Sequence, residues 1–195
     1  MKIENFDVTK IDPAKFKSEL IQMIREKSYA KREVTLSSGL RSDFYVDMKQ
    51  TLLHSRGIYL VASLMLNQLK KFDGQITGVG GITMGADPLS TAVSMLSLSW
   101  NKPVHAFYIR KDPKGHGTNE WVEGLKNFSP GEKVFILEDV VTTGGSSLKA
   151  VERAEMAGLK VMGIFTCVDR EEGGRQTIEA KGIQLLSLTT KSEIV

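Results

Sequence analysis

A chain of 195 residues that is 41% apolar and 25% charged can bury one substantial core, and its composition calls for neither disorder nor a fibrous repeat. Its formal net charge of +3 is too small to argue for nucleic acid, so an anionic ligand has to be met by local groups. The single cysteine, Cys167, rules out an intrachain disulfide and a thiolate metal cluster.

The N-terminal run MKIENFDVTK lacks the apolar core of a signal peptide, and the apolar stretch at 58–69 is broken by Ser63, Asn67 and Gln68. The expectation is a soluble, cytoplasmic chain with no membrane association.

Asp12-Pro13 opens a helix, with a capping side chain followed by a proline whose missing N–H costs nothing there. Phe16, Leu20, Met23 and Ile24 then recur at helical spacing. Short strands are expected at 34–36 and 44–47, on either side of Ser37-Ser38-Gly39, and a helix at 56–69 with Ile58, Val61, Leu64 and Met65 as its apolar stripe.

A strand at 76–79 leads into a glycine-rich loop at 80–85, and Asp87-Pro88 starts the next helix. Further strands are expected at 104–109, 134–137, 161–168 and 183–188, with a helix at 146–157. This alternation predicts an α/β fold: a mainly parallel, doubly wound sheet flanked by helices, with ligands at the carboxyl ends of the strands. No internal repeat or linker divides the chain, so residues 1–195 are expected to form one domain.

The run Val134-Phe135-Ile136-Leu137 suits a central strand buried on both faces. Glu138-Asp139 follows it, and two carboxylates at the end of a buried strand are costly unless something uses them. Val140, Val141, Thr142, Thr143, Gly144, Gly145 and Ser146 then lead into a helix. Glycines let successive N–H groups face inward, and with the helix N-terminus and the hydroxyls they form an anion cradle. The cradle suits one phosphate and the acidic pair suits two ribose hydroxyls, a combination that describes ribose 5-phosphate. No lysine follows the glycines, so this is not a Walker loop. Gly78-Val79-Gly80-Gly81 lacks the glycine spacing of a dinucleotide loop.

The stretch 110–124 has no apolar periodicity, and unstructured loops of that length in compact domains are usually lids or disordered. Arg110, Lys111, Lys114 and His116 suit a lid that meets a diphosphate as negative charge builds up on it. Arg170, at the end of a strand, can fork onto a carboxylate. His54 near a helix start, His105 in a strand and Cys167 in an apolar strand are expected to be structural.

The string VFILEDVVTTGGSS resembles the phosphoribosyl pyrophosphate signature of type I phosphoribosyltransferases, and other segments resemble the orotate branch of that family. The likeness covers nearly the whole chain. It implies the type I phosphoribosyltransferase fold, with roughly residues 1–50 forming a small N-terminal hood over the base. The implied reaction transfers ribose 5-phosphate from phosphoribosyl pyrophosphate (PRPP) to orotate.

On this resemblance Asp139, Lys114, His116 and Arg110 are catalytic. PRPP is held by Arg110, Lys111, Lys114, His116, Glu138, Asp139, Val140, Val141, Thr142, Thr143, Gly144, Gly145 and Ser146. Orotate is held by Thr142, Arg170, Phe44 and Tyr45. Mg2+ arrives on the substrate rather than in a protein metal site, and a homodimer with shared active sites is implied. Met84 and Ser37 stand where some orotate enzymes carry lysines, so those contacts do not transfer. The competing readings are a purine or uracil phosphoribosyltransferase, which would not need Arg170, and a nucleotide-sensing regulator, which should carry an added DNA-binding segment.

Overall fold

The computed structural model describes residues 10–35, 41–100, 102–112 and 121–195, with backbone alone for 32–35 and 41–43. The first helix, α1 (Pro13–Met23), begins as its sequence requires: the Asp12 carboxylate accepts from the N–H groups of Ala14 and Lys15 at 3.1 Å. Such a cap stabilises a helix by about 1 kcal/mol. A π-helical turn, Ile24–Ser28, then delivers the chain to β1 (Tyr29–Thr35), which pairs antiparallel with β2 (Arg41–Val46). This hairpin is a sheet of its own. The π-helical turn that precedes it is fastened to α2 (Lys49–Leu52) by a buried 2.6 Å hydrogen bond between the Ser28 and Thr51 hydroxyls. Helix α3 (Ser55–Leu69) follows.

The main sheet contains β3 (Gly78–Ile82), β4 (His105–Ile109), β5 (Val122–Glu123), β6 (Lys133–Val141), β7 (Lys160–Asp169) and β8 (Leu185–Thr190). Their spatial order is β5-β4-β3-β6-β7-β8, and every pair is parallel except β4 with β5. Helices α4 (Ala86–Leu96), α5 (Gly145–Met156) and α6 (Gly174–Glu179) connect strands, and α7 (Lys191–Ile194) follows β8.

Period-two alternation divides the core. Phe135 and Leu137 join Phe165, Cys167 and the apolar faces of α1, α3 and α4, whereas Val134 and Ile136 join Phe107, Ile164 and the buried face of α5. The mainly parallel α/β fold expected from the strand–helix alternation is the fold observed. From β3 the sheet grows one way through β4 and the other way through β6, so the crevice between β3 and β6 is its topological switch point. Among the described residues no helix is long and apolar enough to cross a membrane.

The expected boundaries need several corrections. The glycine-rich stretch assigned to a loop is partly strand, because β3 runs on through Gly80 and Gly81 to Ile82. Glycine there answers a packing demand. A Cβ on Gly80 would lie 2.4 Å from the Phe107 ring, and one on Gly81 would lie 2.1 Å from the Leu137 carbonyl oxygen. Strand β6 likewise continues past Leu137 to Val141, carried by parallel pairing of Val140 and Val141 with Val168 and Asp169. Local polarity suggested an end at Glu138, but the neighbouring strand extends the ladder. β5 was expected as part of a structureless stretch; its pairing with β4 brings the Arg110 N–H to the Trp121 carbonyl at 2.8 Å.

Candidate active site

The glycine-rich end of β3, the end of β4, the β6–α5 turn and the end of β7 all open on the same edge of the sheet, where parallel strands terminate. Glu138 is buried within β6. Its carboxylate accepts from its neighbour, the Asp139 N–H, at 3.2 Å and from the Ser147 hydroxyl on α5 at 3.3 Å. Burial, and then the negative charge of Asp139, push the Glu138 carboxyl well above the usual carboxylate range.

Asp139 accepts from the Val140 N–H at 2.9 Å and lies directly against Gly85, where an added Cβ would approach its carboxylate to 2.8 Å. The absence of a side chain at Gly85 thus lets the turn after β3, which contains the cis peptide Thr83–Met84, close onto the acid. Met84 in that turn is exposed.

Beyond Val141 the chain turns through Thr142 and Thr143 and enters α5 with Gly144 in the left-handed region at φ 84°. Gly144 needs that freedom for a second reason: a Cβ would meet Ile178 at 3.0 Å and the Gly174 carbonyl oxygen at 3.1 Å. Thr143, Gly145 and Ser146 remain exposed around the first turn of α5. Its unpaired N–H groups and the positive end of its dipole therefore face solvent, as a phosphate site requires.

Arg170 follows β7 and is only 6% exposed. Its Nη2 donates to the Phe44 carbonyl of β2 at 2.8 Å, which joins the hairpin to the sheet edge, and pairs with Glu172 at 3.1 Å. Phe44 is buried: its ring meets Tyr29 at 5.2 Å between centroids and lies beneath Arg170 and Lys191. Tyr45, the next residue in β2, is half-buried. The pair named from sequence is thus divided by the strand's alternation, with Phe44 packed inward and offering its backbone.

The start of α2 also brings a cation within electrostatic reach of Asp139. Lys49 pairs with Asp47 at 2.7 Å. Its ammonium is held above its ordinary pKa first by the hydrogen bond to Asp47, with the charges of Asp47, Asp139 and Tyr45 adding to the effect against desolvation. Burial works against the Asp47 charge, but hydrogen bonds from Lys49, Gln50 and the Lys49 N–H outweigh it and leave that pKa lowered.

On the other side, Arg110 pairs with Glu123 at 3.1 Å across β4 and β5, and its carbonyl accepts from Arg153 of α5 at 2.8 Å. The Arg153 guanidinium stacks on Trp121 at 3.9 Å. Lys111 is exposed. Lys114, His116 and Ser37 lie outside the described residues. Among the described residues no group of three or more His, Cys, Asp or Glu side chains is arranged to hold a metal ion.

Comparison with known proteins decides the family. The model of the phosphoribosyl transferase domain matches residues 49–190. An orotate phosphoribosyltransferase from Aquifex aeolicus is 44% identical over 92% of this chain and 97% of its own length. The chain belongs to the orotate phosphoribosyltransferase family. A second member, from Sorangium cellulosum, is 41% identical over 92% of this chain and 93% of its own. The crystal structure of the Mycobacterium tuberculosis orotate phosphoribosyltransferase in complex with PRPP superposes with a TM-score of 0.74 at 34% identity, covering 92% of this chain and 98% of that one.

Three residues that the sequence did not single out stand against the candidate site residues: Lys49, Gly85 and Glu172. Lys49 could have been suspected from the charged pair Asp47-x-Lys49 directly after an aromatic strand. Gly85 and Glu172 gave no such signal, since their importance lies in what they touch: the Asp139 carboxylate and the Arg170 guanidinium. His54 stands at the N-cap position of α3, His105 is exposed on β4, and Cys167 is fully buried with its thiol pushed up by burial.

Proposed function

We infer that this chain transfers the ribose 5-phosphate of 5-phospho-α-D-ribose 1-diphosphate to orotate, giving orotidine 5'-phosphate and diphosphate in pyrimidine nucleotide synthesis. The observation that carries the reading is the meeting of three parts at one sheet edge: an acid pair with Glu138 buried and Asp139 part-exposed, an open helix N-terminus, and a buried arginine tied to β2.

Val140, Val141, Thr142, Thr143, Gly144, Gly145 and Ser146 line the turn that receives the 5-phosphate, through N–H groups and hydroxyls. Asp139 and Glu138 receive the ribose hydroxyls. Arg170 recognises the acidic base, with Thr142, Tyr45 and the backbone of Phe44 around the ring. A ring nitrogen of orotate attacks the anomeric carbon and gives up its proton. The bond from that carbon to the diphosphate oxygen breaks, and its electron pair leaves on the diphosphate. The ribose gathers positive charge in between, and the Asp139 carboxylate stabilises it electrostatically.

Arg110 and Lys111, with Lys114 and His116, are the cations assigned to the departing diphosphate, and His116 can donate a proton to it. A hard cation fits the donor set as a passenger, since oxygen ligands are at hand in Asp139 and Glu138 but no complete protein cage stands among the described residues. Mg2+, when bound on the substrate, neutralises diphosphate charge. The reading extends to one domain over residues 1–195 with a hood from about 1–50, to a cytoplasmic enzyme, and to a homodimer with shared sites. It involves neither nucleic acid nor membrane.

The test is the fall in orotate absorbance on mixing protein, magnesium, orotate and PRPP. Loss that requires all the components supports the reading; consumption of uracil or a purine instead overturns the assignment of Arg170. Within the site, Arg170→Ala should raise the KM for orotate while that for PRPP holds.

A further inference from the structure

Arg170 does not stand alone over Phe44. The guanidinium of Arg170 lies 5.3 Å from the ring centroid, and the ammonium of Lys191 lies 5.4 Å from the same centroid. Both reach one carboxylate oxygen, Oε1 of Glu172, at 3.1 Å from Arg170 Nη2 and 3.7 Å from Lys191 Nζ. The adjacent acid, Glu171, is engaged elsewhere: its carboxylate accepts from the Ser192 N–H at 2.8 Å and from the Ser192 hydroxyl at 2.6 Å. Two cations thus share Glu172 beside the hood.

The segment that carries Lys191 is short, yet it is pinned from several directions. Arg25 donates to the carbonyls of Ile194 at 2.7 Å and Glu193 at 3.0 Å, and Lys17 pairs with Glu193 at 2.6 Å. Thr190 and Glu193 close a capping box at the start of α7. Ordering the last turn of a chain costs conformational entropy. Here α1, β8 and the Arg170–Glu172 corner all contribute to holding it, and what it presents to the base end is the Lys191 ammonium, 30% exposed.

We propose that Lys191 is a second, specificity-determining cation of the base site, acting with Arg170 on the carboxylate of an acidic pyrimidine. The inference rests on the assignment of the base end made above. When a substrate carboxylate approaches Arg170, Glu172 is the like charge it meets, and Lys191 is placed to hold Glu172 and offset that repulsion. A neutral base presents no charge for the pair to favour. Arg170 supplies directional hydrogen bonds and Lys191 supplies compensating charge.

The experiment compares Lys191→Met, Lys191→Arg and Arg170→Ala in the full chain, by steady-state kinetics with orotate, PRPP and uracil. Lys191→Met should raise the KM for orotate about two- to fivefold, the scale of one partly exposed charge interaction. The KM for PRPP and the thermal midpoint should hold, discrimination against uracil should narrow, and Lys191→Arg should restore parental values. If Lys191→Met leaves the orotate KM unchanged while Arg170→Ala raises it, the proposal falls and the base site stands. If neither variant changes the orotate KM, the base-site assignment itself fails. A Lys191→Met protein that loses orotate, PRPP and thermal stability together marks α7 as merely structural and also overturns the proposal.

Discussion

Replacing Glu138 with glutamine should stabilise the ligand-free protein at neutral pH while slowing the enzyme. Glu138 is 7% exposed, and its carboxyl is raised well above its ordinary value of 4.5 by burial and by the charge of Asp139. For an acid raised in this way the folded state keeps a proton that the unfolded chain has lost. Its contribution to stability is therefore full below the unfolded pKa and is lost as pH rises through the folded pKa. Across that window, which opens near 4.5 and extends upward, the slope is about 1.4 kcal/mol per pH unit for one proton.

Glutamine is isosteric and uncharged. Its amide oxygen can keep the contact with the Asp139 N–H, now 3.2 Å, and the Ser147 hydroxyl can turn to accept from its amide nitrogen. The substitution should therefore remove the slope and leave the variant more stable at pH 8, by about 1.4 kcal/mol for each pH unit by which the folded pKa stands above the unfolded one. Urea unfolding of both proteins at pH 5, 6, 7 and 8 reads the effect as a difference in midpoint that widens with pH. Parallel curves for the two proteins would refute the reasoning, since Glu138 would then titrate alike in the folded and unfolded states. The kcat should fall, because the amide cannot give up a proton to become the carboxylate acceptor that a bound ribose hydroxyl would use.

The remaining expectations separate the parts of the site. Gly85→Ala places a methyl 2.8 Å from the Asp139 carboxylate at a residue whose φ of −61° any amino acid adopts, so the damage is a displaced acid rather than a strained backbone. The kcat/KM for PRPP should drop about tenfold or more with the fold intact by circular dichroism, the scale on which small misplacements of reacting groups act. Lys49→Met should lower kcat/KM for PRPP by about two- to fivefold, as suits a half-exposed cation near Asp139, with Lys49→Arg recovering most of it. Arg56→Ala removes a two-pronged pair with Glu19 at 2.7 and 2.6 Å and the stacking on Phe16 and Tyr59, and should cost about 1 kcal/mol of stability in urea without altering either KM.

Much of the phosphate end was legible in the sequence because its chemistry is written in consecutive residues. A buried apolar strand, two acids, hydroxyls, glycines and a helix start together describe the β6–α5 turn without reference to any other part of the chain. The base end was legible only in part. Arg170 could be picked out at a strand end, but its hydrogen bond to the Phe44 carbonyl and the approach of Lys191 to the same ring and to Glu172 join segments far apart in sequence. Phe44 and Tyr45 could be placed in a strand. Which of them faces the core depended on what β2 packs against.

By itself, then, the sequence determined the alternation of strands and helices, the cradle at the end of the central strand, and the cation-rich stretch that begins at Arg110, since each follows from periodicity or from neighbouring residues. The tertiary structure alone decided how far β3 and β6 extend, that Gly85 must lack a side chain, that Lys49 comes within electrostatic reach of Asp139, and that Lys191 arrives beside Arg170. Those facts depend on pairing and close packing between segments whose separation along the chain carries no local signal.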